Sequence, residues 1–141
     1  MHEKVAASIP RAFGMVKIDS IRYVGPLIEH VNNDGKVIGQ DGAYSVSLKK
    51  GSLWLFGDTF FGIFNADRSF NYKGAVHNNA FYTEDIEATD GIAGIEYKKD
   101  ADGFATYLLN NVESENPKKI KLWPGHGIQI GKKIYLFFHI P

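Results

Sequence analysis

Short alternating runs of apolar and polar residues, punctuated by glycine-rich turns, dominate the chain. Residues 43–48 alternate strictly, with Tyr44, Val46 and Leu48 on one face and Ala43, Ser45 and Ser47 on the other, the period of a half-buried strand. Small residues on that second face allow a neighbouring sheet or a central channel to approach closely. Lys49-Lys50-Gly51-Ser52 forms a turn, and residues 53–56 (Leu-Trp-Leu-Phe) are continuously apolar, as in a strand buried on both faces. Upstream, residues 1–14 read as a loose lead-in broken by Pro10 and Gly14. Residues 15–24 predict a first strand, ended by Gly25-Pro26, and Asn33-Asp34-Gly35 predicts a turn with positive φ. Downstream, residues 63–74 predict a loop, 75–84 and 91–98 two further strands, and 104–109 a short one after the turn at 100–103. Residues 110–119, polar and containing Pro117, predict an exposed connection.

The C-terminal pattern repeats the central one. Val46, Leu48, Leu53, Trp54, Leu55 and Phe56 align with Ile128, Ile130, Ile134, Tyr135, Leu136 and Phe137 if the turn is one residue shorter in the second copy. The same alignment matches Asp58 with His139, so the blade framework does not require a carboxylate there. The repeat recurs after about 80 residues, longer than the roughly 40–50 of compact propeller repeats. Four strands with insertions, followed by the first two strands of another unit, predict an all-β chain forming part of a β-propeller. On this reading residues 1–141 are one domain: the lead-in, a first blade over 15–119 and the start of a second over 120–141. The remaining blades are expected to lie outside it. The alternative is that any two hairpins of a β-sandwich share such alternation.

Composition narrows the function classes. Ten Phe and seven Tyr among fifteen Gly favour strands and turns over helices. A net charge of zero removes the electrostatic argument for nucleic acid or an anionic membrane as partner. The absence of Cys excludes disulfides, thiolate metal sites and cysteine nucleophiles. No His spacing resembles a metal motif, and Asn33-Asp34-Gly35 lacks the rest of a calcium loop. Neither an apolar leader core nor a membrane-length apolar run is visible, and the compartment stays open.

The candidate chemistry is a pair of carboxylates. Asp41 precedes one strand and Asp58 closes the next, and in an antiparallel hairpin those two ends lie at one rim. Asp58 follows an apolar strand, where a charge is unusual unless it reaches a rim or a partner. Such a pair suits general acid/base work, one group keeping its proton beside an apolar wall and the other staying ionised. The Phe and Trp residues beside Asp58 suggest it as the acid and Asp41 as nucleophile or base, with the reverse left open. A separation of about 5 Å suits retention of configuration, and roughly 6.5–9.5 Å suits inversion. Around the pair, at most one of Asn78 and Asn79 is placed to face the site, adjacent strand residues facing opposite ways, and there it would bond substrate hydroxyls or orient a carboxylate. Trp123 offers a stacking face, Phe60 a rim position, and His126 lies in Pro-Gly-His-Gly at the start of the second unit. His77 reads as a structural histidine and Trp54 as a core residue.

Asp41-Gly42 leading to Ser45, the block Leu53-Trp54-Leu55-Phe56-Gly57-Asp58-Thr59, Asn78-Asn79-Ala80 and Trp123-Pro124-Gly125 together resemble a known type of five-bladed propeller. This is the family that includes bacterial endo-D-arabinanases, itself similar to other five-bladed glycoside hydrolases. The resemblance covers about two blades of an implied five. It implies catalytic aspartates at Asp41 and Asp58, cleavage of a furanoside or polysaccharide as carbohydrate substrate, no nicotinamide or flavin cofactor, and an extracytoplasmic setting. A non-catalytic carbohydrate-binding propeller and a protein-interaction propeller are the competing readings.

Overall fold

The computed structural model describes residues 20–21, 23, 36–67, 69–87, 91–116 and 118–140. The strand expected over 15–24 lies outside them apart from Ser20, Ile21 and Tyr23, and the Asn33-Asp34-Gly35 turn lies wholly outside. Among the described residues there is no helix, and the strands form three antiparallel sheets, none of them closed.

The organising element is a long two-stranded ribbon. Val37–Gln40 (β1) pairs with Thr59–Phe64 (β4), and Tyr44–Ser47 (β2) pairs with Ser52–Phe56 (β3). One register sets Gln40 opposite Thr59 and Tyr44 opposite Leu55. The two pairs are therefore halves of one ribbon, interrupted at 41–43 and 57–58. Past the interruption each half joins a different sheet. β4 pairs with Phe70–Val76 (β5), giving the order β1-β4-β5. β3 pairs with Asn79–Thr83 (β6), which pairs with Glu96–Tyr97 (β7), giving β2-β3-β6-β7. Trp123–Ile130 (β8) and Lys133–His139 (β9) form a separate hairpin.

Several local expectations are corrected. Residues 63–74, expected as a loop, carry the end of β4 and most of β5. Their polar tip is tied by Asn65 N–H to the Ser69 carbonyl (2.8 Å) and by the Asp67 carboxylate, which accepts the Ser69 N–H (2.9 Å). The strand expected over 75–84 is split between β5 and β6 at His77 and Asn78, whose side chains are engaged elsewhere. The 91–98 strand shrinks to β7, and 104–109 contributes only a bridge between Lys99 and Ala105. The connection over 110–119 carries no strand among its described residues.

Both faces of the four-stranded sheet are covered, which is why residues 53–56 are apolar without alternation. Leu55, Val46 and Ala80 form one core with Leu48, Leu53, Leu108 and Leu136 against them. Phe56, Phe81 and Tyr97 form the other with Val37, Ala105, Trp54, Ile92 and Ile95. Burying Leu55 or Phe81 completely is worth roughly 1.5–3 kcal/mol each, so these two clusters fix the sheet that carries the site. Trp54 stacks on Phe81 (centroids 6.0 Å) and donates Nε1–H to Ser52 Oγ (2.9 Å).

The β8–β9 hairpin packs face-on against this sheet. Gly127 leaves room for Val46 of β2, Leu136 enters the first core, and Lys49 N–H donates to Gln129 Oε1 (2.8 Å). The repeat is also adjusted. Ser47 opposite Ser52 corresponds to Gln129 opposite Ile134, each pair enclosing four residues, so the two turns are equal in length and the expected one-residue difference is absent. Pair for pair, Val46–Leu53 corresponds to Ile128–Tyr135 rather than to Ile128–Ile134. Asp58 therefore corresponds to Ile140, not His139.

Candidate active site

The site is built where the ribbon changes sheets. Asp41 and Asp58 lie in the break between the Gln40–Thr59 and Tyr44–Leu55 pairs. The main chains meet there: Asp41 N–H donates to the Asp58 carbonyl (2.9 Å) and Gly57 N–H to the Asp41 carbonyl (2.8 Å). Asp41 thus faces both Gly57 and Asp58, an irregular, bulge-like pairing. Gly42 follows Asp41 at φ 66°, in the left-handed region, which lets the strand turn out of one sheet into the other. Asp41 is exposed, and among the described residues its carboxylate has no hydrogen-bond partner.

Asp58 is held from two sides. Its Oδ1 lies 3.2 Å from His77 Nδ1 and accepts the Trp123 Nε1–H at 3.2 Å. Oδ2 has no partner among the described residues. The Asp58 side chain is 38% exposed and that of His77 27% exposed, so the pair is half-buried and reachable from solvent. On the far side of the imidazole, Lys121 Nζ contacts His77 Nε2. The Tyr107 ring leans on the same imidazole (centroids 6.2 Å, tilted 59°), and the Trp123 indole stacks on His139, its opposite number across β8 and β9 (6.4 Å, 24°). Four separate segments thus converge on one carboxylate: the β3–β4 junction, the β5–β6 junction, the start of β8 and the segment leading to it.

The sequence-predicted residues divide. Trp123 is at the site, through its N–H as well as its ring. Phe60 is two residues beyond Asp58, on β4, and is exposed. Asn78 and Asn79 are both buried and serve the framework. Asn78 Oδ1 accepts the Leu109 N–H (2.8 Å), and Asn79 Nδ2 donates to the Thr106 carbonyl (2.5 Å) while its Oδ1 is enclosed without a partner. These two side chains hold the segment that carries Tyr107. His126 lies on β8 opposite Phe137 and makes no contact with Asp58 among the described residues. Trp54, in the core, does not wall Asp58; the indole beside that carboxylate belongs to Trp123.

The pattern reads His77 as a structural histidine and His139 only as the counterpart of Asp58, and it does not single out Lys121 or Tyr107. The signal for His77 is His77-Asn78-Asn79, three polar residues interrupting an apolar strand pattern. Nothing in the pattern marks Tyr107 within the short strand expected over 104–109, or Lys121 just before Trp123. Beside Tyr107 opens a cavity of about 370 Å3, lined also by Asn110, Asn111, Val112, Glu113 and Glu115. Among the described residues no three His, Asp or Glu side chains gather as a metal site, and no helix is long and apolar enough to cross a membrane.

Comparison with known families gives one match: the model described as "Domain of unknown function (DUF5005)" covers residues 29–140. That span includes both aspartates and every group gathered around them. No curated protein matches the chain.

Proposed function

We propose that this chain, which belongs to the DUF5005 family, forms part of a β-propeller glycoside hydrolase that cleaves an arabinan-type furanoside or polysaccharide with Asp41 and Asp58. The observation that carries this reading is the meeting of the two aspartates at the point where the ribbon changes sheets, where Asp41 N–H donates to the Asp58 carbonyl at 2.9 Å. Glycosidic cleavage first requires two carboxylates at one rim, and this junction is where the chain can supply them. The second requirement is that their environments differ, and here they do. Asp58 Oδ1 accepts the Trp123 N–H and lies 3.2 Å from His77 Nδ1, whereas the Asp41 carboxylate is exposed and has no partner among the described residues, and we assign Asp58 as nucleophile or base. Asp41 then donates the proton to the leaving oxygen, the reverse of the assignment that the flanking apolar residues suggest. The Trp123 indole, which reaches Asp58 through its N–H and stacks on His139, is a ring of the kind that complements the C–H surface of a sugar.

The propeller part of the proposal has its own support. A propeller blade is a four-stranded antiparallel sheet, and β2-β3-β6-β7 has that form, with β4–β5 as an insertion. The next hairpin packs on its face. The face that β8–β9 leaves open, carrying Ile128, Tyr135 and Phe137 at 46–59% exposure, corresponds pair for pair to the face of β2–β3 that β8–β9 covers. A stack in which each unit covers the equivalent face of the one before is how successive blades pack.

The test is hydrolysis of a panel of arabinans and related polysaccharides by the full-length protein, with Asp41→Asn and Asp58→Asn variants. Loss of turnover by about 10²–10⁴-fold in each is expected for an acid/base pair. Wild-type-level hydrolysis by both variants sinks the pair. Binding without turnover by the unmutated protein instead identifies a carbohydrate-binding propeller.

A further inference from the structure

Lys121 and His77 contain chemistry that the aspartate pair alone does not use. A lysine ammonium carries three N–H donors and no acceptor. Its Nζ contacts His77 Nε2, so that nitrogen has to be the acceptor, and a neutral imidazole that accepts at Nε2 carries its proton on Nδ1. Nδ1 is the nitrogen 3.2 Å from Asp58 Oδ1. The proton on it is therefore donated to the carboxylate. Protonating Nε2 as well would set an N–H against the ammonium, donor against donor and cation against cation.

We infer that Lys121 is a positioning residue that fixes His77 in its Nδ1–H tautomer and thereby commits Asp58 Oδ1 to accepting hydrogen bonds. With Trp123 Nε1–H on the same oxygen, Oδ1 is fully occupied. Oδ2, with no partner among the described residues, is the oxygen that attacks or activates water. His77 does not itself carry a proton to or from substrate; it holds one in place. Tyr107, against the imidazole face, keeps the ring in the plane that lets both nitrogens reach their partners. The role given to Oδ2 rests on the proposed hydrolysis, whereas the tautomer does not.

The experiment is a long-range proton–nitrogen correlation spectrum of the uniformly 15N-labelled protein near neutral pH. The chain has five histidines, so the His77 signals are assigned by their loss in His77→Gln. The expected result is a neutral Nδ1–H tautomer in the wild type, loss of the hydrogen-bonded acceptor signal at Nε2 in Lys121→Met, and the wild-type pattern kept in Lys121→Arg, which still offers only donors. A His77 that is an Nε2–H tautomer or an imidazolium in the wild type overturns the inference. So does an Nε2 signal unchanged in Lys121→Met. Where an arabinan is turned over, Lys121→Met should also lower kcat by about 10²-fold with KM little changed. The Nδ1–H tautomer in a protein that hydrolyses nothing refutes the hydrolase reading and leaves the positioning role standing.

Discussion

Gly127→Ala tests the packing that brings β8, and with it Trp123, to Asp58. A Cβ at this position would lie 2.7 Å from Leu136 Cδ2, 2.9 Å from Val46 Cγ2 and 3.0 Å from the Tyr135 carbonyl oxygen. The three neighbours yield unequally. The Leu136 methyl can swing aside, but Val46 is β-branched, stiff at χ1 and 1% exposed, and the Tyr135 oxygen is main chain. Overpacking of this kind costs about 1–3 kcal/mol. Replacing a glycine whose φ lies outside the left-handed region recovers about 0.4–1 kcal/mol through the unfolded chain. The net expectation is a loss of roughly 1–2 kcal/mol, or a Tm lowered by about 3–8 °C in a chain of this size. Urea unfolding followed by tryptophan fluorescence measures it, and the Trp123 signal reports displacement of the indole from Asp58.

Leu136→Ala made in both backgrounds separates overlap from a general effect. Removing the leucine methyls opens space for the new Cβ, so the two changes together should cost less than their sum by about 0.5–3 kcal/mol. A Gly127→Ala protein as stable as wild type would mean that the β8–β9 hairpin does not rest on β2. The route by which Trp123 reaches Asp58 would then have to be abandoned.

Two further outcomes follow from turn geometry and local charge. Gly51 and Gly131 both adopt positive φ, 64° and 61°, but a Cβ at 51 would lie 1.9 Å from the Thr83 carbonyl oxygen whereas one at 131 meets nothing within 4 Å. Gly131→Ala should cost only the left-handed strain of about 1–2 kcal/mol, and Gly51→Ala that strain plus a backbone collision. Equal midpoints in urea for the two variants would contradict this. The Asp85 carboxyl is held below the usual range by accepting the backbone N–H of Ala93 and then that of Glu87. Because its folded value is depressed, the stabilisation is fully present above the unfolded value of about 4 and is lost as pH falls through the lower folded value. The amide shifts of Ala93 and Glu87 should titrate together below that pH and stay flat in Asp85→Asn.

The ribbon was legible because its period and its turn are local. Strict alternation over 43–48 and the unbroken apolar run over 53–56 fix which faces are covered, and Lys49–Ser52 fixes the reversal. From those, the meeting of Asp41 and Asp58 follows. The β4–β5 hairpin was not legible, since Phe60, Ile63, Phe70 and Tyr72 are all exposed and its outer surface gives no apolar–polar contrast to read. The repeat was seen but aligned one residue out in β9, because apolar residues at Ile134, Tyr135, Leu136, Phe137 and Phe138 fit either parity. Only pairing with β8 decides between them. His77 and Lys121 could not be joined on paper: 44 residues separate them, and neither lies in a periodic segment.

Like charges brought together across an antiparallel pair destabilise it, and the ribbon supplies its own comparison. One step along, Gln40 and Thr59 oppose each other as neutral partners, Nε2 within 3.5 Å of Oγ1, and Tyr97 donates to Gln40 Oε1 at 2.8 Å. That pair needs no help from outside its own neighbourhood. Asp41 and Asp58, by contrast, draw donors from the β5–β6 junction, from β8 and, through His77, from Lys121, and all of them go to Asp58. The compensation is one-sided. If its purpose were only to quiet the repulsion, both carboxylates would be equally good recipients, and the exposed Asp41 would be the easier one to reach. Directing the donors to a single oxygen of the less exposed partner gives the two acids different hydrogen-bond surroundings. Stability alone would have been better served by a neutral residue at either position, and a local rule broken and then compensated on one side only is what the proposed hydrolysis would lead one to expect at this rim.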